Sequence, residues 1–218
     1  MSRLALAIAL ALPAAACTVG DGKGALAGTL FIQECEDVPF TTYSNDGGGM
    51  PGGYNMHPSF FVAEPVNDLP RSPVQMNRVS IRVQSAGNRL EEADVLYINI
   101  ADVRAIALDL GAPITVGPVT NLRASLVLNE TCPAHQTQLE LDGTLGFTAF
   151  GSASADAGGP SVPGNFSIHY GDRLTAAFSF DVVDRRAIVF GGPPTAGGHL
   201  DGNFDFVVRQ SPQAQAYP

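Results

Sequence analysis

Apolar residues recur at every second position in four separate stretches of the chain: Leu26, Gly28, Leu30, Ile32; Leu141, Gly143, Leu145, Phe147; Leu174, Ala176, Phe178, Phe180; and Leu200, Gly202, Phe204, Phe206. Each runs Leu, then a tiny residue, then two large apolar ones. A period of two sends successive side chains to opposite faces of an extended strand, so the recurring positions share one buried face. The residues between them are mostly small or polar, as in Thr175, Ala177, Ser179 and Asp181, and belong to a face that meets water. The tiny residue at the second core position predicts the close approach of a facing strand or sheet at that level.

Further strand-forming runs lie at Arg78–Gln84, Asp94–Ile100, Asn121–Asn129 and Ala187–Phe190, bounded by Gly, Pro and Asn clusters. Together these make about eight strands. Strands separated by turn residues, without long helical periods between them, predict an all-β fold: an antiparallel β-sandwich first, or a closed barrel-like sheet. One interruption stands out at residues 102–110, where Val103, Ile106, Ala107 and Leu110 fall at helical spacing. Asp102 can cap such a helix and Gly111 can end it, so a short helix is expected, although Arg104, Ile106, Leu108 and Leu110 would also satisfy a strand.

Residues 36–77 hold six prolines and the Gly-rich run Asn45–Gly53, and read as a long Gly/Pro-rich loop. So long a structureless loop is unusual inside a compact domain. Ser59–Ala63 is therefore expected to dock as an edge strand, while Asn45–Gly53 stays mobile. The Gly-rich run lacks the Lys-Ser/Thr ending and following helix of a phosphate cradle.

The first seventeen residues have a different layout: one cation at Arg3, an apolar run from Leu4 to Leu12, Pro13, then Ala14, Ala15, Ala16 and Cys17. The apolar run is far short of the roughly 20 residues that span a bilayer, so it reads as a removable export signal. This segment resembles the bacterial lipoprotein class, whose signal ends in small residues and a cysteine that is acylated. Such signals usually carry Leu three positions before the cysteine, where this chain has Ala14. Cleavage at an ordinary A-x-A site formed by Ala14 and Ala16 is the alternative. The resemblance covers residues 1–17 only, and implies a signal peptide over 1–16, lipidation of Cys17 and a membrane contact through the N-terminal lipid. Thr18 stands where some members carry the Asp that retains them at the inner membrane, which favours the outer membrane. Residues 17–24 then form a lipid-anchored tether, 25–210 a single domain and 211–218 a polar tail.

If Cys17 carries lipid, Cys35 and Cys132 remain, and outside the cytoplasm those two are expected to pair. Two unpaired buried thiols are the alternative. No C-x-x-C or paired-histidine spacing points to a metal centre.

Composition narrows the partners. The chain carries 12 basic and 21 acidic residues. Loss of Arg3 with the signal leaves 11 against 21, a formal charge of −10, which disfavours nucleic acid and anionic headgroups.

Chemistry is sparse. His57, His135, His169 and His199 sit in no H-E-x-x-H frame, and no G-x-S-x-G or S-x-x-K is present. The best candidate follows from strand register: with Leu200, Gly202, Phe204 and Phe206 inward, His199, Asp201, Asn203 and Asp205 line the opposite face. Calcium or zinc could be held by His199, Asp201 and Asp205 only with help from a neighbouring strand, from Asp181 or Asp142. A solvated polar face is the plainer reading. Glycan binding would use exposed rings, yet there is no tryptophan, and Tyr43, Tyr54, Tyr97 and Tyr170 form no cluster in sequence; Phe60 and Phe61 read as core. No catalytic residues are assigned. The expectation is a non-enzymatic outer-membrane lipoprotein acting as a structural or protein-interaction module of the envelope, with an envelope protein as partner. A calcium- or glycan-binding domain and a hydrolase are the alternatives.

Overall fold

The computed structural model describes residues 22–32, 35, 52–65, 77–85, 92–132, 138–154 and 166–209. Eleven strands are joined in one sheet: β1 (Gly22–Ile32), β2 (Gly52–Met56), β3 (Phe60–Pro65), β4 (Val79–Gln84), β5 (Asp94–Ile100), β6 (Ile114–Val116), β7 (Leu122–Leu128), β8 (Leu139–Gly151), β9 (Ala153–Ser154), β10 (Arg173–Val183) and β11 (Ala196–Val207). Among the described residues, two short helices flank the sheet, α1 (Val103–Leu108) and α2 (Arg185–Phe190). The order across the sheet is β2-β1-β11-β10-β8-β6-β7-β5-β4-β3, with β9 paired to β8. Every pairing is antiparallel except the brief parallel contact of β6 with β7.

The all-β class is as expected, but the architecture is one continuous sheet curled into a half-barrel rather than a sandwich of eight strands. The four patterned stretches explain the curl. They form β1, β11, β10 and β8, which are consecutive neighbours, and their registers interleave small and large residues on the inner face. One row reads Leu26, Gly202, Phe178, Leu145; the next reads Gly28, Leu200, Phe180, Gly143; beyond it come Leu30, Gly198, Val182 and Leu141. The close approach predicted from sequence is thus between neighbours in the same sheet. A Cβ at Gly202 would stand 2.3 Å from Phe178 Cζ and 2.6 Å from the Ala25 carbonyl oxygen. Gly198 has φ 143°, a conformation that side-chain-bearing residues rarely adopt, and the bend there tightens the inner surface.

The curl brings the two ends of the sheet together. β2 and β3 lie at opposite ends of the strand order, yet only His57, Pro58 and Ser59 separate them in sequence. Phe61 of β3 stacks on Phe206 of β11 with ring centroids 5.5 Å apart. Tyr54 of β2 donates its hydroxyl to Asp94 Oδ2 of β5 at 3.0 Å. The enclosed core is rich in phenylalanine, with Phe147, Phe150, Phe180, Phe204 and Phe206 fully buried.

Several expectations change. Within residues 36–77, β3 is the edge strand expected near Ser59–Ala63, whereas β2 was not foreseen: Gly52 and Gly53, expected to be mobile, are strand, and 36–51 and 66–76 lie outside the described residues. β2 carries so little apolar sequence that pairing with β1, rather than its own pattern, fixes it. The folded domain, expected from residue 25, already includes Gly22, where β1 begins. The short helix expected within 102–110 is present as Val103–Leu108, with Asp102 accepting from Arg104 N at 2.9 Å and Ala105 N at 3.3 Å while Val103, Ile106 and Ala107 are buried. Ala187–Phe190, expected as strand, belongs to α2 instead. Asp184 accepts from Ala187 N at 3.2 Å to start that helix, and Gly191, at φ 71°, closes it by donating to the Ala187 carbonyl at 3.0 Å.

Cys35 and Cys132 are joined by a disulfide, their Cα atoms 5.7 Å apart and both side chains fully buried. Just before Cys132, Asp94 of β5 pins the turn that follows β7: its carboxylate accepts from Glu130 N at 2.9 Å, Thr131 N at 3.0 Å and the Thr131 hydroxyl.

Candidate functional site

Two surfaces carry the chemistry that the fold leaves outside its core. The first is the outer face of β8, β10 and β11, where inward Leu200 and Phe180 put His199 and Asp181 outward and directly opposite each other. His199 Nδ1 donates to Asp181 Oδ1 at 2.7 Å, and its Nε2 stands 3.4 Å from Asp201 Oδ2 and 3.3 Å from Ser179 Oγ. The hydrogen bond to Asp181, helped by Asp201, raises the imidazole above its ordinary value despite partial desolvation. His199, Asp181 and Asp201 are therefore brought together, as strand register foretold.

Asp205 is not part of that group. Arg173 grips it with Nε at 2.7 Å and a terminal nitrogen at 2.6 Å, Thr175 adds a hydroxyl at 3.0 Å, and the Arg173 hydrogen bonds hold its carboxyl below the usual range. Asp142 is engaged as well, by Arg185 at 2.8 and 3.0 Å, with Glu140 taking the same guanidinium at 2.6 Å. Among the described residues, no group of three or more His, Cys, Asp or Glu side chains is disposed to hold a metal ion.

Ser179, His199 and Asp181 have the connectivity of an acyl-transfer relay, in which a carboxylate orients an imidazole beside a hydroxyl. What they lack is the surround. They lie on an open sheet face, with His199 about half exposed, and the backbone amides of paired strands are committed to the ladder rather than turned toward a reacting oxygen. The arrangement orders a charged surface; it does not assemble a cleft.

The second surface is the connection from β10 to β11, which sequence reasoning read as a strand. Asp184 Oδ2 accepts from Thr195 N at 2.7 Å and the Thr195 hydroxyl at 2.8 Å, so one carboxylate starts α2 and also ties the two ends of the loop. Arg185 fastens the helix to β8 through Glu140 and Asp142. On this braced base Ile188 is 66%, Val189 69% and Phe190 84% exposed. Beside them is an open, mainly apolar hollow of about 430 Å³ lined by Val182, Val183, Ala187, Ile188, Pro194 and Gly197. Asp184 as a cap and Gly191 as a stop were the sequence signals that could have revealed this helix.

The remaining sequence candidates disperse. Phe61 is core and Phe60 half-buried, with the Arg82 guanidinium 5.9 Å from its ring; Tyr54 is buried, Tyr97 half-buried and Tyr170 exposed. His169 holds a local turn with Ser167 and Asp172. Cys17, Tyr43, His135, the signal segment and the tail 211–218 lie outside the described residues. No protein family, curated protein or solved structure matches the chain.

Proposed function

We propose that the protein is an exported lipoprotein, acylated at Cys17 and held at the outer membrane, whose β domain serves as a non-enzymatic protein-interaction module of the envelope. The observation that supports an interaction role is the α2 platform: three consecutive large apolar side chains in water, braced by Asp184 and Arg185. Exposed apolar clusters on a braced element characteristically mark contact surfaces. Two measurements test the reading. Mass spectrometry of the mature N-terminus should find acylated Cys17; an unmodified N-terminus there would remove the anchor. Formaldehyde crosslinking in intact cells should give an adduct that Ile188→Ser with Phe190→Ser abolishes, and an adduct indifferent to that change would remove α2 as the contact.

Hydrolysis is a second reading, favoured by the Ser179–His199–Asp181 connectivity alone. Labelling of Ser179 by a fluorophosphonate, lost in His199→Ala, would establish it. A parent protein that stays unlabelled would dismiss it.

A further inference from the structure

We infer that the occupant of the α2 platform is a second copy of this chain, the Phe190 ring of each copy entering the hollow beside α2 on the other. The inference rests on reading the protein as a lipid-anchored interaction module and names that module's partner.

Two observations carry it, and area sets the strength of the contact. Knob and hollow lie on the same short loop, Phe190 only two residues beyond Ile188, which lines the hollow. A surface that presents both is self-complementary, as a two-fold contact requires. The second observation is where the chain outside the described residues leads. Cys17 is five residues before Gly22, so a lipid there keeps the start of β1 within about 17 Å of the membrane. Gly22 pairs with Phe206 and Ile32 with Ala196, which places α2 at the far end of β1 and β11, about 36 Å from the tether by strand rise. Two copies anchored side by side in one membrane therefore carry their α2 loops at matching heights, as a two-fold axis along the membrane normal requires.

Exposures of 66, 69 and 84% on Ile188, Val189 and Phe190 leave on the order of 400 Å² of apolar surface per copy. A stable free-standing dimer buries about 800 Å² per partner, so this contact is weak for molecules in dilute solution. Anchoring both copies to one surface raises their effective concentration enough for such a contact to form. The net charge of −9 on the whole chain opposes self-association, and salt screens that repulsion.

The test uses the full-length, membrane-anchored protein with a photo-reactive benzophenone residue at Val189. Illumination of intact cells is expected to give a product of twice the monomer mass containing peptides of this chain alone, with crosslinks falling at Val182–Val183 or Pro194–Gly197. Gly197→Leu should abolish it by filling the hollow, because a Cβ at Gly197 meets nothing within 4 Å in its own chain and the fold is left intact. Phe190→Ser should abolish it as well. Coexpressing the two variants should restore a product, since one intact knob then finds one open hollow. A crosslink from Val189 to a different polypeptide overturns the second copy while keeping the interaction module; a crosslink to lipid alone, or none, overturns both.

Discussion

Gly202 occupies a gap that its neighbours have already filled. Alanine there would push the Phe178 ring out of its place and press on the Ala25 carbonyl, an overpacking that costs about 1–3 kcal/mol. Gly53→Ala, whose new Cβ would come no closer than 4.0 Å to the Gly28 carbonyl, should be near neutral, and urea midpoints of the two variants provide the comparison. Removing the Asp94 carboxylate strips the acceptor from Tyr54, Glu130 and Thr131, so Asp94→Ala should destabilise the fold by about 1–3 kcal/mol for each buried donor left unmatched. Burial outweighs those hydrogen bonds and raises the Asp94 carboxyl above 3.8. The proton-linked part of its contribution is therefore full below that value and is lost as pH rises through the folded one, whereas the acceptor role remains. His199 follows the same sign from 6.5 upward: its ion pairs stabilise the fold when the ring is protonated and fade as pH climbs through the raised value. Asp181→Asn should bring the imidazole back toward 6.5, measured by NMR titration; an unchanged midpoint would contradict the assigned hydrogen bond. Alternation alone told which of these residues face inward. That Asp94 meets Tyr54 was not legible, because strands far apart in sequence create the contact.

The elements differ in how much of themselves their sequence declares. β1, β8, β10 and β11 announce a buried face at every second residue, and α1 announces its N-cap and its spacing, although Asp109 rather than the expected Gly111 caps its end. Ala187–Phe190 is equally compatible with strand or helix by composition, and the decision comes from Asp184 at one end and Gly191 at the other. Asp184→Ala should loosen the loop specifically: amide exchange across residues 185–195 should rise while the global unfolding midpoint moves little, because the exposed helix contributes little to the core. A large loss of global stability would mean that the loop supports the fold as well as its own surface. The disulfide acts over a greater distance. Its cysteines are 97 residues apart, and closing so long a loop is worth about 4–5 kcal/mol in the chain-entropy treatment. Reduction should lower the urea midpoint accordingly.

For the whole molecule, the sequence conveyed an all-β domain but not its single-sheet curl, because alternation fixes which face is buried and says nothing of which strands are neighbours. Register supplied the rest, by setting each tiny residue beside large ones. The seam of this sheet and the ends of its strand sequence do not coincide. From β3 the path runs through β4, β5, β7, β8, β10 and β11 in chain order, then to β1 and β2, while β2 leads back to β3 through His57–Ser59. The ladder that must wait for the C-terminal strand is β1 with β11, joining Gly22 to Phe206 across nearly the full length of the domain. A circular permutant opened within His57–Ser59, with β11 spliced to β1, would turn that ladder into a local hairpin and shorten the loops closed during folding. It should refold faster than the parent while keeping the same native pairings, which makes the present order of strands a kinetic burden rather than a requirement of the architecture.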